Sequence, residues 1–123
     1  MKAGNPHRVP LADAAVAVLA EMKPLARGED SLVFPSTRPG RPLSDMTMAA
    51  VLKRLKIDAT VHGFRSTFRD WAAEATNYPH EVAEMALAHT VSNAVERAYR
   101  RGDLFERRRR LMQDWSHYCA GES

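Results

Sequence analysis

The chain has 123 residues, 45% of them hydrophobic and 27% charged, so it suits one globular domain and leaves no room for two. These proportions exclude a chain that is disordered throughout. The formal net charge is only +3, and the single cysteine, Cys119, excludes an internal disulfide, which fits a reducing cytoplasm. No apolar run approaches the ~20 residues that a membrane helix needs, and the opening MKAGNPHRVPL has no hydrophobic signal core.

The N-terminal half of the sequence predicts two helices separated by a long loop. HRVPL resembles the end of a strand, and a helix follows from Ala12 to about Leu25. A loop rich in Pro, Gly and Ser comes next and contains a short apolar piece at Leu32–Phe34. Ser44 is a suitable N-cap for a helix that runs to about Leu55. The side chains expected to face inward from this helix are Met48, Val51, Leu52 and Leu55.

The C-terminal half predicts further helices. One begins near Gly63 and ends near Ala75, and Pro79 suits the first turn of the next helix, His80–Ala88. TVSNAVERAYRRG is typical of a turn and another short helix that Gly102 closes. A long final helix carries apolar side chains up to Tyr118. The predicted fold class is therefore mainly α with a small β remnant.

Arginines concentrate near the C-terminus. They are Arg97, Arg100, Arg101 and Arg107 to Arg110. Clustered arginine is typical of a protein that binds a polyanion, with nucleic acid first among the candidates. A solvated helix face is the alternative interpretation.

The helix that follows VHGF combines an apolar stripe with basic residues along its edge. At 100° per residue, one sector of roughly 100° collects the apolar side chains, namely Phe64, Phe68, Trp71, Ala72 and Ala75. His62, Arg65 and Arg69 lie along one edge of that stripe. Partly desolvated cations favour an anionic partner, and a phosphate at the helix N-terminus would satisfy all three. Alternatively, Arg65 pairs with a carboxylate elsewhere in the fold and His62 only caps the helix.

Two further residues are candidates for chemistry. His89, in LAH, ends an apolar helix face, and Tyr99, in AYRR, follows ten residues later. Considered separately, His89 also fits a satisfied core histidine and Tyr99 an amphipathic anchor.

Taken together and in this order, HGFR, LAH and AYRR resemble the tyrosine recombinase family, with phage and prophage integrases as the closest branch. The opening MKAGNPHRVPL resembles the β-hairpin of that family, in which a lysine precedes V-P-L by seven residues, as Lys2 precedes Val9. The resemblance extends from Lys2 to about Cys119 and implies a partial tyrosine recombinase catalytic-domain fold.

The resemblance assigns a role to each matching residue. Tyr99 would be the nucleophile and Arg65 would hold the scissile phosphate. His62 and His89 would be the two histidine-type positions, and Lys2 would protonate the leaving 5′-oxygen. The arginines expected to grip neighbouring phosphates are Arg69, Arg97, Arg100 and Arg101.

The residue types suit this chemistry. Attack by a tyrosine hydroxyl on a DNA phosphodiester gives a phosphotyrosyl link and a free 5′-hydroxyl, so neither ATP, a metal nor another cofactor is required. Guanidinium stays charged and binds two phosphate oxygens at once, while imidazole can donate or relay a proton. Tyr78 and Tyr118 are rival nucleophiles, but neither has a histidine at the matching upstream distance. A zinc site built from His62, His80, His89 and Cys119 matches no known ligand spacing.

The resemblance also implies that parts of the family site lie elsewhere. The family uses another arginine upstream of the hairpin lysine, together with arm- and core-binding domains. We therefore expect residues 1–123 to be the C-terminal part of a catalytic domain (1–10 hairpin remnant, 11–119 helical, 120–123 tail) with little activity alone. The expected partners are double-stranded DNA at attachment sites and further copies of the chain, as a tetramer on DNA or a dimer of the fragment, with no membrane. A non-catalytic helical DNA-binding or interaction module that retains relic residues is the alternative.

Overall fold

The computed structural model describes residues 7–29, 31–38, 40–89 and 104–122. The helices in those ranges are α1 (Asp13–Met22), a 3-10 turn (Lys23–Leu25), α2 (Thr47–Arg54), α3 (Gly63–Ala75), α4 (His80–Ala86) and α5 (Phe105–Cys119). The mainly α prediction is confirmed, and α3 has the predicted bounds. Within the described ranges, β pairing is limited to one antiparallel bridge between Pro35 and Pro42.

The described part of the predicted hairpin remnant, residues 7–10, is not a strand. His7 to Pro10 form no regular secondary structure, and residues 1–6 lie outside the described ranges. The described part of this segment is fixed by side-chain contacts instead. Arg108 donates a hydrogen bond to the carbonyl of Arg8, and the Arg8 guanidinium lies 4.2 Å from the centre of the Phe105 ring. A cation over an aromatic face is attractive, so this segment is bound to α5 without a ladder of strand hydrogen bonds.

The chain divides into two compact units. One is formed by Ala14–Phe64, called here the middle unit, and the other by Met1–Asp13 with Arg65–Ser123, called here the C-terminal unit. The predicted inward face of α2, in the middle unit, is wrong: Met48 and Leu55 are 63% and 61% exposed. Among the described residues of 14–64, no side chain is buried. Short helices joined by Pro- and Gly-rich loops do not supply the second packed layer that an apolar helix face requires.

The buried core belongs to the C-terminal unit. It consists of Phe68, Trp71 and Ala72 from α3, Val82 and Ala83 from α4, and Leu111 from α5. The central turns of α3 therefore form the predicted stripe, while Phe64 and Ala75 at the helix ends are exposed. The i, i+3, i+4 spacing explains why these three α3 side chains share one face.

Aromatic side chains join α3 to α5. Trp115 packs edge-on against Phe68, with ring centres 5.2 Å apart, and lies 5.1 Å from Trp71. Tyr118 stacks on Trp115 at 5.6 Å but remains half exposed, so it borders the core instead of filling it. Edge-to-face and offset pairs of this kind add to simple area burial. They hold α5 against the helix that carries Arg65 and Arg69.

The end of α4 turns the chain sharply. The helix ends at Ala86, two residues earlier than predicted, and Ala88 adopts a left-handed conformation with φ 58°. The amide of Ala88 donates to the Met85 carbonyl at 3.1 Å, and the amide of His89 donates to the Glu84 carbonyl at 2.9 Å. This pair of bonds is the Schellman arrangement, which reverses the chain at a helix end. Its consequence is that His89 returns beside Glu84.

Replacement of Leu111 by alanine should strongly destabilise the C-terminal unit. Leu111 is 0% exposed, and removal of a buried leucine side chain typically costs about 2–5 kcal/mol. Urea unfolding followed by tryptophan fluorescence would measure the change, because Trp71 and Trp115 both line the core. The matched control is Leu25→Ala, at a leucine that is 63% exposed, where a change within about 0.5 kcal/mol is expected. Equal losses from the two variants would contradict the proposed core.

Candidate functional site

A buried carboxylate lies at the centre of the described part of the site. Glu84 is only 8% exposed, and its Oε2 lies 2.6 Å from Nδ1 of His89. Its Oε1 lies 3.0 Å from Nε of Arg69 and 3.5 Å from Nε2 of His80. Burying a charged carboxylate is costly unless opposite charges or donors surround it. Oε2 is hydrogen-bonded to His89, whereas Oε1 accepts no hydrogen bond from the described residues and is compensated by the nearby charge of the Arg69 guanidinium. These contacts tie α3, α4 and the residues after α4 together.

Arg65 reaches the same end of α4. Its Nη2 donates a 2.7 Å hydrogen bond to the carbonyl of Leu87, two residues before His89. This bond uses one of the five N–H groups that a guanidinium carries, and the Arg65 side chain is exposed. Among the described residues, the partner of Arg65 is thus a backbone carbonyl. The structure brings two of the predicted site residues, Arg65 and His89, to one helix end.

A threonine lies at the N-terminal end of α3. The amide of Gly63 donates to Oγ1 of Thr60 at 3.0 Å, so Thr60 supplies the side-chain oxygen that caps this end. His62 itself is exposed and belongs to the middle unit. The role of His62 stays a prediction.

The remaining predicted site residues lie outside the described ranges. They are Lys2, Arg97, Tyr99, Arg100 and Arg101. Their assignments stay predictions, as does the gathering of the catalytic set around one phosphate.

Arg69 and Glu84 show what sequence reasoning could and could not find. Arg69 was expected to contact DNA, and its side chain is 51% exposed while its Nε pairs with Glu84. Glu84 was missed altogether. The available signal was an acidic residue directly after Val82 and Ala83, on the short apolar stretch that leads to LAH. A charge at a position that packing will bury indicates a partner elsewhere in the fold.

The run Arg107 to Arg110 is not a uniform basic face. Arg108 is 1% exposed, and Arg109 pairs with Glu106, with Nη2 to Oε2 at 2.8 Å. Arg107 and Arg110 line an open hollow of about 270 Å³ together with Asn77, Tyr78 and Pro79. Neighbouring arginines of one helix therefore lie in different environments: Arg108 is buried, Arg109 is on the surface, and Arg107 and Arg110 line the hollow. Successive side chains of a helix point 100° apart, which explains the difference.

Tyr78 is poorly suited to act as a nucleophile. Its hydroxyl donates a 2.6 Å hydrogen bond to Oδ2 of Asp114. Partial burial and the Asp114 carboxylate raise the pKa of Tyr78 to about 12, although Arg110 acts in the opposite direction. Phenolate forms less readily there than at an ordinary tyrosine, whose pKa is about 10.

Across the described ranges, no three His, Cys, Asp or Glu side chains are grouped so as to hold a metal ion. In the same ranges, no helix is both long enough and apolar enough to cross a membrane.

Comparison with known proteins places the chain in a family. The phage integrase family matches residues 1–104, which is most of the chain. The chain belongs to the phage integrase family.

Its relatives include integrases of bacterial prophages and of phages. It is 42% identical to the prophage integrase IntA and 35% identical to the prophage integrase IntZ, both of Escherichia coli K12, over 94% of this chain in each case. It is 29% identical to the integrase of enterobacteria phage P4 over 96% of this chain. The chain spans only 28–29% of the length of these three relatives. No solved structure matches it.

Tyr78 should titrate later than an ordinary tyrosine. Its pKa of about 12 means that the folded protein keeps the phenol proton after the unfolded chain has lost it near pH 10. The resulting stabilisation is present below about pH 10 and is lost as the pH rises towards about 12. Ultraviolet titration of phenolate absorbance should show one late transition, absent in Tyr78→Phe and moved to lower pH in Asp114→Asn. Tyr118→Phe is the control, and disappearance of the late transition in this variant would contradict the assignment.

Proposed function

We propose that this chain is the C-terminal catalytic part of a site-specific DNA recombinase, with Tyr99 as the nucleophile. The observation that carries the proposal is the placing of Arg65 and His89 at one end of α4, within a chain of the phage integrase family. An arginine that stays charged and an imidazole are the groups that a phosphodiester site needs. Tyr99 follows His89 by ten residues, which lets the intervening segment carry the hydroxyl towards that helix end.

The proposed reaction is a transesterification. The Tyr99 hydroxyl oxygen attacks the phosphorus, the bond to the 5′-oxygen breaks, and a 3′-phosphotyrosyl link forms. Lys2 donates a proton to the leaving 5′-oxygen, and the tyrosine proton passes to a basic group of the site. Arg65, His62 and His89 stabilise the charge that gathers on the non-bridging oxygens. Rejoining is the same exchange in reverse, with a 5′-hydroxyl as the attacking group, so no cofactor is needed.

The contrast with Tyr78 supports the choice of nucleophile. A tyrosine that attacks phosphate at neutral pH needs a proton acceptor or a strong positive field. Tyr78 is partly buried and lies beside the Asp114 carboxylate, and both make its ionisation harder. Tyr99 stands in the sequence between Arg97 and the pair Arg100 and Arg101, and cations close to a phenol hydroxyl supply the positive field that such a nucleophile needs.

We expect residues 1–123 to react slowly without further sequence. The family's other active-site arginine precedes the hairpin lysine, and no arginine precedes Lys2 in this span. Removal of one preorganised donor to a transition-state oxyanion costs about 10²–10³ in rate. The DNA-clamping domains would also have to come from outside this span. The proposed partners are double-stranded DNA and other copies of the recombinase, acting in the cytoplasm of a bacterial host.

Covalent capture tests the nucleophile. Residues 1–123 would replace the matching C-terminal part of IntA, the relative with 42% identity. This chimaera would be incubated with a nicked DNA substrate whose leaving fragment diffuses away. We expect a denaturation-resistant protein–DNA adduct that is absent in Tyr99→Phe and forms about 10²–10³ times more slowly in Arg65→Ala.

Tyr78→Phe is the matched control for this experiment and should leave the adduct in place. An adduct that survives Tyr99→Phe would overturn the assignment of the nucleophile. A chimaera that binds DNA but never forms an adduct, while IntA itself does, would favour the non-catalytic DNA-binding module.

The salt dependence of DNA binding tests the predicted phosphate contacts. Each phosphate contact contributes about 0.9 to the slope of log affinity against log salt concentration. Arg100→Ala and Arg101→Ala should each reduce the magnitude of that slope by about this amount, measured by fluorescence anisotropy with a labelled duplex. Arg109→Ala is the control, because Glu106 already binds its guanidinium. Equal slopes for all three variants would contradict the assigned contacts.

A further inference from the structure

The carboxylate of Glu84 is buried against His89, and the need to neutralise its charge does not by itself explain this position. It is buried, yet it lies between two basic side chains, with one oxygen towards Arg69 and the other towards His89. A glutamate that only stabilised the fold could point its head group to solvent, as long charged side chains usually do. Here the head group stays inside, at 2.6 Å from an imidazole nitrogen.

We propose that Glu84 is a positioning residue that holds the imidazole of His89 in one orientation and one tautomer. The inference rests on the proposed function for the use of His89, but the Glu84–His89 geometry stands without it. An ionised carboxylate can only accept hydrogen bonds, so the nitrogen facing it, Nδ1, must carry the hydrogen. Nε2, on the far side of the ring, is then the nitrogen that meets the substrate. In neutral His89 it accepts a proton, and in protonated His89 it donates to a phosphate oxygen.

The backbone fixes this pairing as firmly as the side chains do. The Schellman turn at Ala88 brings the amide of His89 onto the carbonyl of Glu84 at 2.9 Å. Two hydrogen bonds therefore join the same two residues, one through the backbone and one through the side chains. With both ends fixed, the ring has little freedom to rotate, and its exposed fraction is limited to 35%.

Arg69 and His80 complete the surroundings of the carboxylate. Arg69, from α3, lies 3.0 Å from Oε1, and His80, from the first turn of α4, lies 3.5 Å from the same oxygen. The contact of Arg69 with Oε1 is an ion pair without a hydrogen bond. A positive guanidinium, which carries donors only, attracts an electronegative acceptor atom of residue 84 and repels an N–H group. A carboxylate offers an acceptor on both sides, whereas an amide offers an acceptor on one side and a donor on the other.

This difference gives a sharp expectation for Glu84→Gln. The amide oxygen must face Arg69, so the amide nitrogen turns towards His89 and donates to Nδ1. The hydrogen of the neutral imidazole then moves to Nε2. The substitution barely changes side-chain volume but should switch the tautomer of His89. An effect through folding alone would not produce such a switch.

Nuclear magnetic resonance of the whole 123-residue chain tests the proposal. With ¹⁵N-labelled histidine, long-range ¹H–¹⁵N spectra recorded well above the ordinary imidazole pKa of about 6.5 report which ring nitrogen is protonated. His89→Asn identifies the signals. We expect protonated Nδ1 in the wild type, protonated Nε2 in Glu84→Gln, and the wild-type pattern in the matched control Glu81→Gln on the same helix.

A wild-type His89 with its hydrogen on Nε2 would overturn the proposal, as would a folded Glu84→Gln protein with an unchanged tautomer. Near-ultraviolet circular dichroism of the tryptophan cluster reports whether the variant folds. Should it not fold, the wild-type tautomer decides by itself. The cleavage assay separates this inference from the proposed function. If the tautomers are as expected but no Tyr99 adduct forms, the proposed function is contradicted and the assignment of Glu84 is not.

Discussion

The ion pairs of Glu84 are the interaction on which the described part of the site depends. A buried carboxylate is tolerated only when its charge is met, and here Arg69 and His89 meet it from different parts of the chain. Removal of either partner would leave the Glu84 carboxylate buried with less compensation for its charge. The free-energy cost of such a removal is typically larger than the stability that the intact pair adds. The carboxylate therefore specifies one arrangement of α3 and α4 more than it adds to stability. That arrangement also places the Arg65 guanidinium on the Leu87 carbonyl.

The aromatic core makes this precision possible. Phe68 and Trp71 lie on the buried face of α3, and Arg65 and Arg69 lie beside that face. The packing of the aromatic rings therefore fixes where the two guanidinium groups lie relative to α4. Trp115 on α5 meets both rings at 5.1–5.2 Å, which leaves α3 little freedom to rotate about its axis. A rotation of one residue, 100°, would move Arg69 away from Glu84. Core packing and site geometry are thus two consequences of the same helical register.

The sequence predicted the local features of the molecule better than its long-range ones. The bounds of α3 and its buried Phe68, Trp71 and Ala72 follow from periodicity, which is a property of neighbouring residues. Glu84 and Arg108 could not be placed in this way, because their burial depends on partners far along the chain, such as the Arg8 carbonyl 100 residues from Arg108. Periodicity also predicted an inward face for α2, and that face is exposed. An apolar stripe shows which side of a helix can be buried, but another element must pack on it before it is buried.

Tyr78 illustrates how the surroundings of a tyrosine, and not its residue type, decide its chemistry. The pKa of Tyr78 is raised because its hydroxyl is partly buried and binds the Asp114 carboxylate. Arg110, on the same helix as Asp114, offsets this increase only in part. A nucleophilic tyrosine needs the reverse: cations close by and carboxylates at a distance. At the α4 end, Glu84 is the buried carboxylate among the described residues, and its oxygens lie 3.0 Å from Nε of Arg69 and 2.6 Å from Nδ1 of His89. In the proposed function, this carboxylate orients the imidazole of His89, and an incoming phenol and phosphate would meet the Arg65 guanidinium and the far side of that ring.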